Sequence, residues 1–440
     1  MIILLLANII TIILAFDLAL LLRYAGLVDV HWNQHTAFIF VILSTLLIQY
    51  FCNFYNRYNY VERLKLFFNI IKVWLAAIVF YLVVGFLTKY YFLIDSRGFL
   101  IVYFFLLLHF MALFHLLLVP RLLALYYAHP ARKILCGFIG PEEYKKAFEE
   151  FSQEHPFLGV TFLSTLEKNT TLEKAHEYFL YSETELFSEL YKQIKSSLRK
   201  SRPLHVCSNL FDELNLKWEW ARINDIPIYT FHQRDDTSVR ESVKRFMDIL
   251  GAALLMIILS PLFLIITVAV KLDSPGPIIY RQKRCGRNGK RFIFYKFRSM
   301  VSGRESDSRR EQEFRKYLEA ETSKGKILSS KDITTVGSVL RKASIDELPQ
   351  LWNVLRGDMS LVGPRPPIPY EVKYYKDWHM DRLSVKQGLT GLWQIYGRGE
   401  MPSDKSIFLD MIYVINRSFI LDINLIFQTI PAVILGKGAY

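Results

Sequence analysis

The chain has 440 residues, 52% of them hydrophobic, and a formal net charge of +13. That length is too great for one ordinary domain, so two or three units are expected. The apolar residues are gathered into runs, too many for a signal peptide followed by a soluble core.

The first runs cover residues 1–22, 37–53, 67–87 and 99–119, each near the ~20 residues a spanning helix needs. Four transmembrane helices are therefore expected within 1–120. Asp17 and Lys72 lie inside these runs, tolerable near a helix end or facing the bundle, with a proton or substrate path as the alternative. The 54–66 loop carries Arg57, Arg63 and Lys65, the 23–36 loop only Arg23, and Arg121, Arg132 and Lys133 follow the fourth run. This asymmetry puts both ends of the bundle in the cytoplasm, against the opposing Lys89 and Arg97 of the 88–98 loop. Cys52, Cys136, Cys207 and Cys285 have no paired spacing and read as reduced thiols, consistent with that compartment.

Residues 131–235 read as an α/β unit. Lys133 to Gly140 resembles a strand running into a glycine turn, Pro141-Glu142-Glu143 opens a helix, and short strands follow at 203–207 and 226–229. Strand–helix alternation predicts a Rossmann-like sheet. Gly137 and Gly140 do not complete a dinucleotide fingerprint, which favours a structural or regulatory spacer over a cofactor site.

A fifth apolar run, Ile249 to Val270, has Lys244 and Arg245 before it and Lys271 after it. Basic flanks on both sides argue against a crossing. Ser260-Pro261 sits at its middle; the proline removes a helical hydrogen bond, and the Ser260 hydroxyl can cover the freed carbonyl. The expectation is a re-entrant helix over 246–271, with a proline-kinked fifth span as the alternative. Then come Asp273-Ser274-Pro275-Gly276-Pro277, two short strands, and a basic stretch holding Arg281, Lys283, Arg284, Arg287, Lys290, Arg291, Lys296 and Arg298. Such a stretch contacts solvent or anionic lipid headgroups, and some of its cations suit a nucleotide diphosphate. Nucleic acid is disfavoured because the stretch adjoins a membrane segment. Residues 301–332 are charge-dense and read as a loop.

Asp346 and Glu347 are adjacent carboxylates between Arg341 and the Gly363-Pro364-Arg365-Pro366 turn. Two acids among fixed cations suit a divalent metal held beside a phosphate. A second reading is a helix start, with Ser344 and Glu347 forming a capping box. In the tail, Ile423, Ile426, Phe427, Ile430, Val433 and Ile434 follow helical spacing interrupted by Pro431, which suits an interfacial helix or core packing.

Six motifs occur in order: Lys244-Arg245-Phe246-Met247-Asp248, Ser260-Pro261, Asp273 to Pro277, Tyr295-Lys296-Phe297-Arg298-Ser299-Met300, Asp346-Glu347-Leu348-Pro349-Gln350 and Gly363 to Pro366. Together they resemble the bacterial monotopic polyprenyl-phosphate sugar-1-phosphate transferases, densely over 241–440. The spans and middle unit are similar to long-form members. The resemblance implies an α-helical inner-membrane protein with a Rossmann-like middle domain and a mostly helical monotopic catalytic domain on the cytoplasmic face. It implies transfer of a sugar 1-phosphate from a UDP-sugar to undecaprenyl phosphate through an aspartyl intermediate, with Mg²⁺, and a possible homodimer. Asp346 would be the nucleophile, Asp346 and Glu347 the metal ligands, and Arg341, Arg365 and Lys296 the phosphate-facing cations. Gln394 and Arg398 match the glycine-rich turn that faces the nucleotide, and Asp410 and Asp422 match family acids that stand behind the site or support the structure, with Asp410 also taken as substrate-binding. Lys386-Gln387 and Arg417 depart from the family pattern. The competing classes are a transporter built on the N-terminal spans, which lack paired broken helices, and an inactive scaffold.

Overall fold

In the first half of the chain, unbroken apolar sequence gives helices that bury one another. The computed structural model describes residues 2–24, 32–52, 54–88, 97–163, 175–198, 202–214, 216, 221–223, 225–232, 238–301, 311–312, 333–397 and 404–434. It divides into two compact units, Met1–Tyr181 with Trp218–Thr230, and Ser182–Lys217 with Phe231–Tyr440.

The first unit opens with α1 (Ile2–Tyr24), α2 (Trp32–Phe51), α3 (Arg63–Thr88) and α4 (Arg97–Leu113). A π-turn at Phe114–Leu118 then leads into α5 (Val119–Tyr127). Pro120 has no amide to give the helix, and the ladder widens just before it. Among the described residues three stretches are long and apolar enough to cross a membrane: Ile3–Leu22, Arg63–Val84 and Gly98–Tyr127. The run expected at 37–53 falls largely within the 20-residue α2, of which Ile39–Tyr50 is the apolar part among the described residues. Ala15 and Ala19 are fully buried, and small residues at such a seam let helix backbones approach. Asp17 and Lys72 are exposed on the bundle's outside, so they do not line an internal path. Among the polar groups buried in the bundle, His115 accepts from Tyr60 Oη at Nδ1 (2.6 Å) and donates from Nε2 to Asn8 Oδ1 (3.0 Å).

The same unit holds β1 (Ile134–Ile139), α6 (Glu142–Glu154), β2 (Val160–Phe162) and β3 (Glu177–Tyr181). β1 pairs in parallel with both β2 and β3, as strand–helix alternation predicts. The bundle is joined to this sheet by Arg57, whose Nη2 lies 2.6 Å from Glu177 Oε2, with Tyr58 Oη donating to the same oxygen.

In the second unit, α7 (Phe187–Ser197) and β4 (Pro203–Cys207) precede β5 (Ala221–Ile223) and β6 (Ile226–His232), which belong largely to the first. β5 and β6 are antiparallel, so the strands of the middle segment are mixed in direction. α7 buries Leu190, Tyr191 and Ile194. Tyr191 Oη and Lys195 Nζ both donate to Asp381.

Next come α8 (Ser238–Ile258) and α9 (Ser260–Asp273), bent by 62° at their junction. The missing amide of Pro261 orphans the Ile257 carbonyl, and Ser260 Oγ donates to it at 2.7 Å. The Lys244-Arg245-Phe246-Met247-Asp248 motif proves to be internal bracing. Lys244 Nζ bonds Asp422 at 2.6 Å, Arg245 caps the carbonyls of Val354 and Leu355, and Asp248 accepts from Ser360 and the Leu361 amide. Asp422 is thereby a structural acid.

The antiparallel hairpin of β7 (Ile279–Cys285) and β8 (Arg291–Phe297) pairs Tyr280 with Lys296 and Arg284 with Phe292. After it come α10 (Thr335–Lys342), α11 (Gln350–Arg356), β9 (Ser360–Val362), α12 (Pro369–Lys373), β10 (Gly388–Thr390), α13 (Leu392–Tyr396), α14 (Asp404–Asn416) and α15 (Phe419–Ile434). β9 and β10 are parallel neighbours. All four cysteines are free.

Candidate active site

The carboxylate pair is presented by a turn between two helices. Thr334 Oγ1 accepts from the Gly337 amide at 3.0 Å and starts α10. Gly337 is obligatory there, because a Cβ would lie 2.1 Å from the Ser299 carbonyl oxygen. Arg341 rides in the last turn of α10, which ends at Ser344 in the left-handed region (φ 54°). That conformation overturns the expected capping box: the Ser344 side chain makes no cap hydrogen bond, and Ile345–Glu347 is a 3-10 turn ahead of α11.

Ile345 and Leu348 anchor this turn. Both pack into an apolar cluster with Ile266 and Val270 of α9, Phe297 of β8 and Leu340 of α10. The two residues between them, Asp346 and Glu347, are thereby fixed one packing layer from the bent apolar helix pair. Asp346 is buried and Glu347 is exposed. Burial, then the charge of Glu347, raises the Asp346 carboxyl to about 7, while Lys296 and Arg341 pull it down. Three expected site residues, Lys296, Arg341 and Glu347, therefore act on Asp346 electrostatically. Lys296 Nζ also lies 5.0 Å from the centre of the Tyr280 ring, and Arg341 Nη1 is buried without a hydrogen-bond partner among the described residues.

Arg365 forms a second group. Its guanidinium stands over the Trp393 ring (5.2 Å) and 3.6 Å from Glu371 Oε1. Glu371 is itself buried, accepting from the Ile368 amide at 3.0 Å. Behind Arg365 lies Arg284, a buried guanidinium lowered to about 10 by desolvation and then by the charge of Arg365, with Glu371 and Glu347 opposing. Glu347 thus bears on both groups. Asp410, expected among the substrate-binding residues, is 1% exposed and ion-paired with buried Arg382. The pairing places Asp410 against Arg382, which itself reaches the Arg365 carbonyl. Gln394 sits on α13 against Gly391, beside the Trp393 that reaches Arg365. Arg398 lies outside the described residues.

Sequence reasoning missed Glu371 and Arg382 altogether. It named Arg284 only within a basic stretch, although alternation along β7 puts Arg284 and Gln282 on the buried face and Arg281 and Lys283 outside. Among the described residues no group of three His, Cys, Asp or Glu side chains is placed to hold a metal. Two adjacent carboxylates nevertheless fit Mg²⁺, which commonly takes one or two protein carboxylates and completes its shell with substrate phosphates and water.

A family model described as bacterial sugar transferase matches residues 239–436. The exopolysaccharide production protein ExoY of Sinorhizobium fredii (strain NBRC 101917 / NGR234) is 45% identical over 202 residues, covering 45% of this chain and 88% of that protein. The undecaprenyl-phosphate galactose phosphotransferase of Salmonella typhimurium is 42% identical over 199 residues, 45% of this chain and 42% of its own. A UDP-glucose:undecaprenyl-phosphate glucose-1-phosphate transferase of Klebsiella pneumoniae is 38% identical over 226 residues, covering 50% of this chain and 46% of its own.

Proposed function

Since the chain belongs to the bacterial sugar transferase family and is a transferase, we propose that it moves a sugar 1-phosphate from a UDP-sugar to undecaprenyl phosphate at the cytoplasmic face of the inner membrane. The observation that carries this reading is the setting of Asp346. It is a buried carboxyl flanked by Lys296, Arg341 and Glu347, on a turn whose anchors pack on α9. Ionised Asp346 attacks the sugar-bearing phosphorus; an Asp346–phosphorus bond forms and the bond to UMP breaks. An oxygen of undecaprenyl phosphate then attacks the same phosphorus, giving the diphosphate-linked sugar and returning the Asp346 carboxylate. Arg341, Lys296 and Arg365 neutralise phosphate charge in both steps. Asp346 and Glu347 would hold Mg²⁺, which supplies further neutralisation of phosphate charge when bound.

The bent pair α8–α9 supports re-entry. α9 has 14 residues, about 21 Å of helix, too short for a hydrocarbon core of about 30 Å. Lys244, Arg245 and Lys271 flank the apolar run of the pair on both sides. A lipid phosphate at headgroup depth and a soluble nucleotide sugar can then reach one carboxylate.

The test is UMP release by the purified full-length protein, given Mg²⁺, undecaprenyl phosphate and a panel of UDP-sugars. Release with at least one sugar, abolished by Asp346→Asn, is expected. Silence across the whole panel would end the transfer reading, and turnover by Asp346→Asn would remove Asp346 as nucleophile.

A further inference from the structure

Arg365 is gripped from behind by two other guanidiniums. Arg382 Nη2 donates to the carbonyl oxygen of Arg365 itself at 3.0 Å, and Arg284 Nη1 donates to the next one, that of Pro366, at 2.9 Å. Arg382 and Arg284 are 3% and 7% exposed, whereas the Arg365 side chain is 30% exposed. Both buried side chains make further contacts within the protein, while Arg382 Nε has no hydrogen-bond partner among the described residues. Arg382 donates to Tyr375 Oη (2.6 Å) and to Asp410; Arg284 donates to Gln282 Oε1 (3.1 Å) and lies over the Phe294 ring.

Placing two more cations behind Arg365 is electrostatically adverse, since like charges and burial both disfavour them. The charge balance gives the arrangement a purpose. Three guanidiniums face two buried carboxylates, Glu371 and Asp410, so one positive charge is left over. Glu371 lies against Arg365 and Asp410 against Arg382, so the excess belongs to the group as a whole, and Arg365 is its exposed member. The backbone there is also locked: Pro364 and Pro366 fix φ on either side, and a Cβ on Gly388 would fall 2.0 Å from the Gly363 nitrogen, so the two strands touch.

We propose that Arg284 and Arg382 are positioning residues that clamp the carbonyls of Arg365 and Pro366 and aim the Arg365 guanidinium at a phosphate of the nucleotide sugar. The identity of the anion rests on the transfer reading above; the clamp itself does not.

The experiment is a double-mutant cycle on the full-length protein with Arg284→Lys, Arg365→Lys and the double variant. It measures KM for the UDP-sugar, kcat, UDP affinity and thermal unfolding. Arg284→Lys keeps the charge and loses the fork. It is expected to weaken UDP binding and raise KM by about tenfold to a hundredfold, with the unfolding temperature nearly unchanged. The double variant should be no worse than Arg365→Lys alone, because Arg284 acts only through Arg365. Penalties that multiply in the double variant would overturn the clamp, and so would a drop in thermal stability with KM and UDP affinity intact. Native protein that binds UDP but transfers no sugar would defeat the transfer reading while the cycle still reads the clamp through affinity. Native protein that binds no UDP would overturn the clamp's phosphate role.

Discussion

The Ser260 hydroxyl donates to the Ile257 carbonyl, the acceptor that Pro261 leaves without its helical amide. The break between α8 and α9 is therefore satisfied within the helix pair itself, as a break in an apolar medium must be. With both residues replaced by leucine, a straight helix from Arg240 to Asp273 would be about 51 Å long at ~1.5 Å per residue, longer than a core of about 30 Å. It would cross. An Arg281→Cys reporter should resist a membrane-impermeant thiol reagent outside intact cells, and become reactive once Ser260 and Pro261 are both leucine. Labelling from outside with Ser260-Pro261 intact would remove the re-entrant reading.

Asp346 must be ionised to attack, and its carboxyl sits near 7 with burial as the main cause. The rate should therefore rise with pH through a limb near 7 at low Mg²⁺. Because a cation favours the charged form, more Mg²⁺ should move that limb to lower pH. A profile flat from pH 5.5 to 8 at low Mg²⁺ would show that Asp346 is already ionised or is not the attacking group.

Asp410 offers a stability test. Burial raises its carboxyl from 3.8 to about 6, with Arg382 and Arg365 opposing. Below about pH 4 the group is neutral in folded and unfolded chains alike, and the advantage of the neutral folded form is present in full. As pH rises through the window from 4 to 6 that advantage is lost, a change of about 3 kcal/mol. Thermal unfolding should show the native protein gaining more than Asp410→Asn on going from pH 7 to 5. Equal gains would show that Asp410 does not titrate in that window.

The contact of α7 with Asp381 separates two kinds of interaction. Lys195 is 58% exposed at its side chain, so Lys195→Ala should cost under about 1 kcal/mol. Tyr191 is 4% exposed and packs on Trp378 with ring centres 5.6 Å apart. Tyr191→Ala should cost about 3 kcal/mol or more. Chemical denaturation compares them, and a costlier Lys195 variant would reverse the ranking argued here.

What the sequence disclosed depended on the range of each interaction. The Ser260-Pro261 break was legible because proline acts on a carbonyl four residues away. Asp346 and Glu347 stood out because the pair is contiguous and Arg341 is only five residues upstream. Ser344 misled: its type suits a cap, but the chain end of α10 turns it left-handed. Arg284 and Pro366 meet across 82 positions, and Arg382 and Asp410 across 28. No local periodicity marks such partners; only the fold brings them together. The same holds for Lys244, Arg245 and Asp248, legible as a motif but not as bracing.

The ion pair of Arg57 and Glu177 has a practical consequence for taking the protein apart. Hydropathy falls off near residue 128, which invites a cut there to free a soluble middle piece. Both partners are only 14% exposed at their side chains, so that cut would strand Glu177, and Arg57 with it, without the opposite charge each is buried against. The seam in the amino-acid composition is thus not a seam in the molecule, and the apolar helices and the first strands are inherited or lost as a single piece.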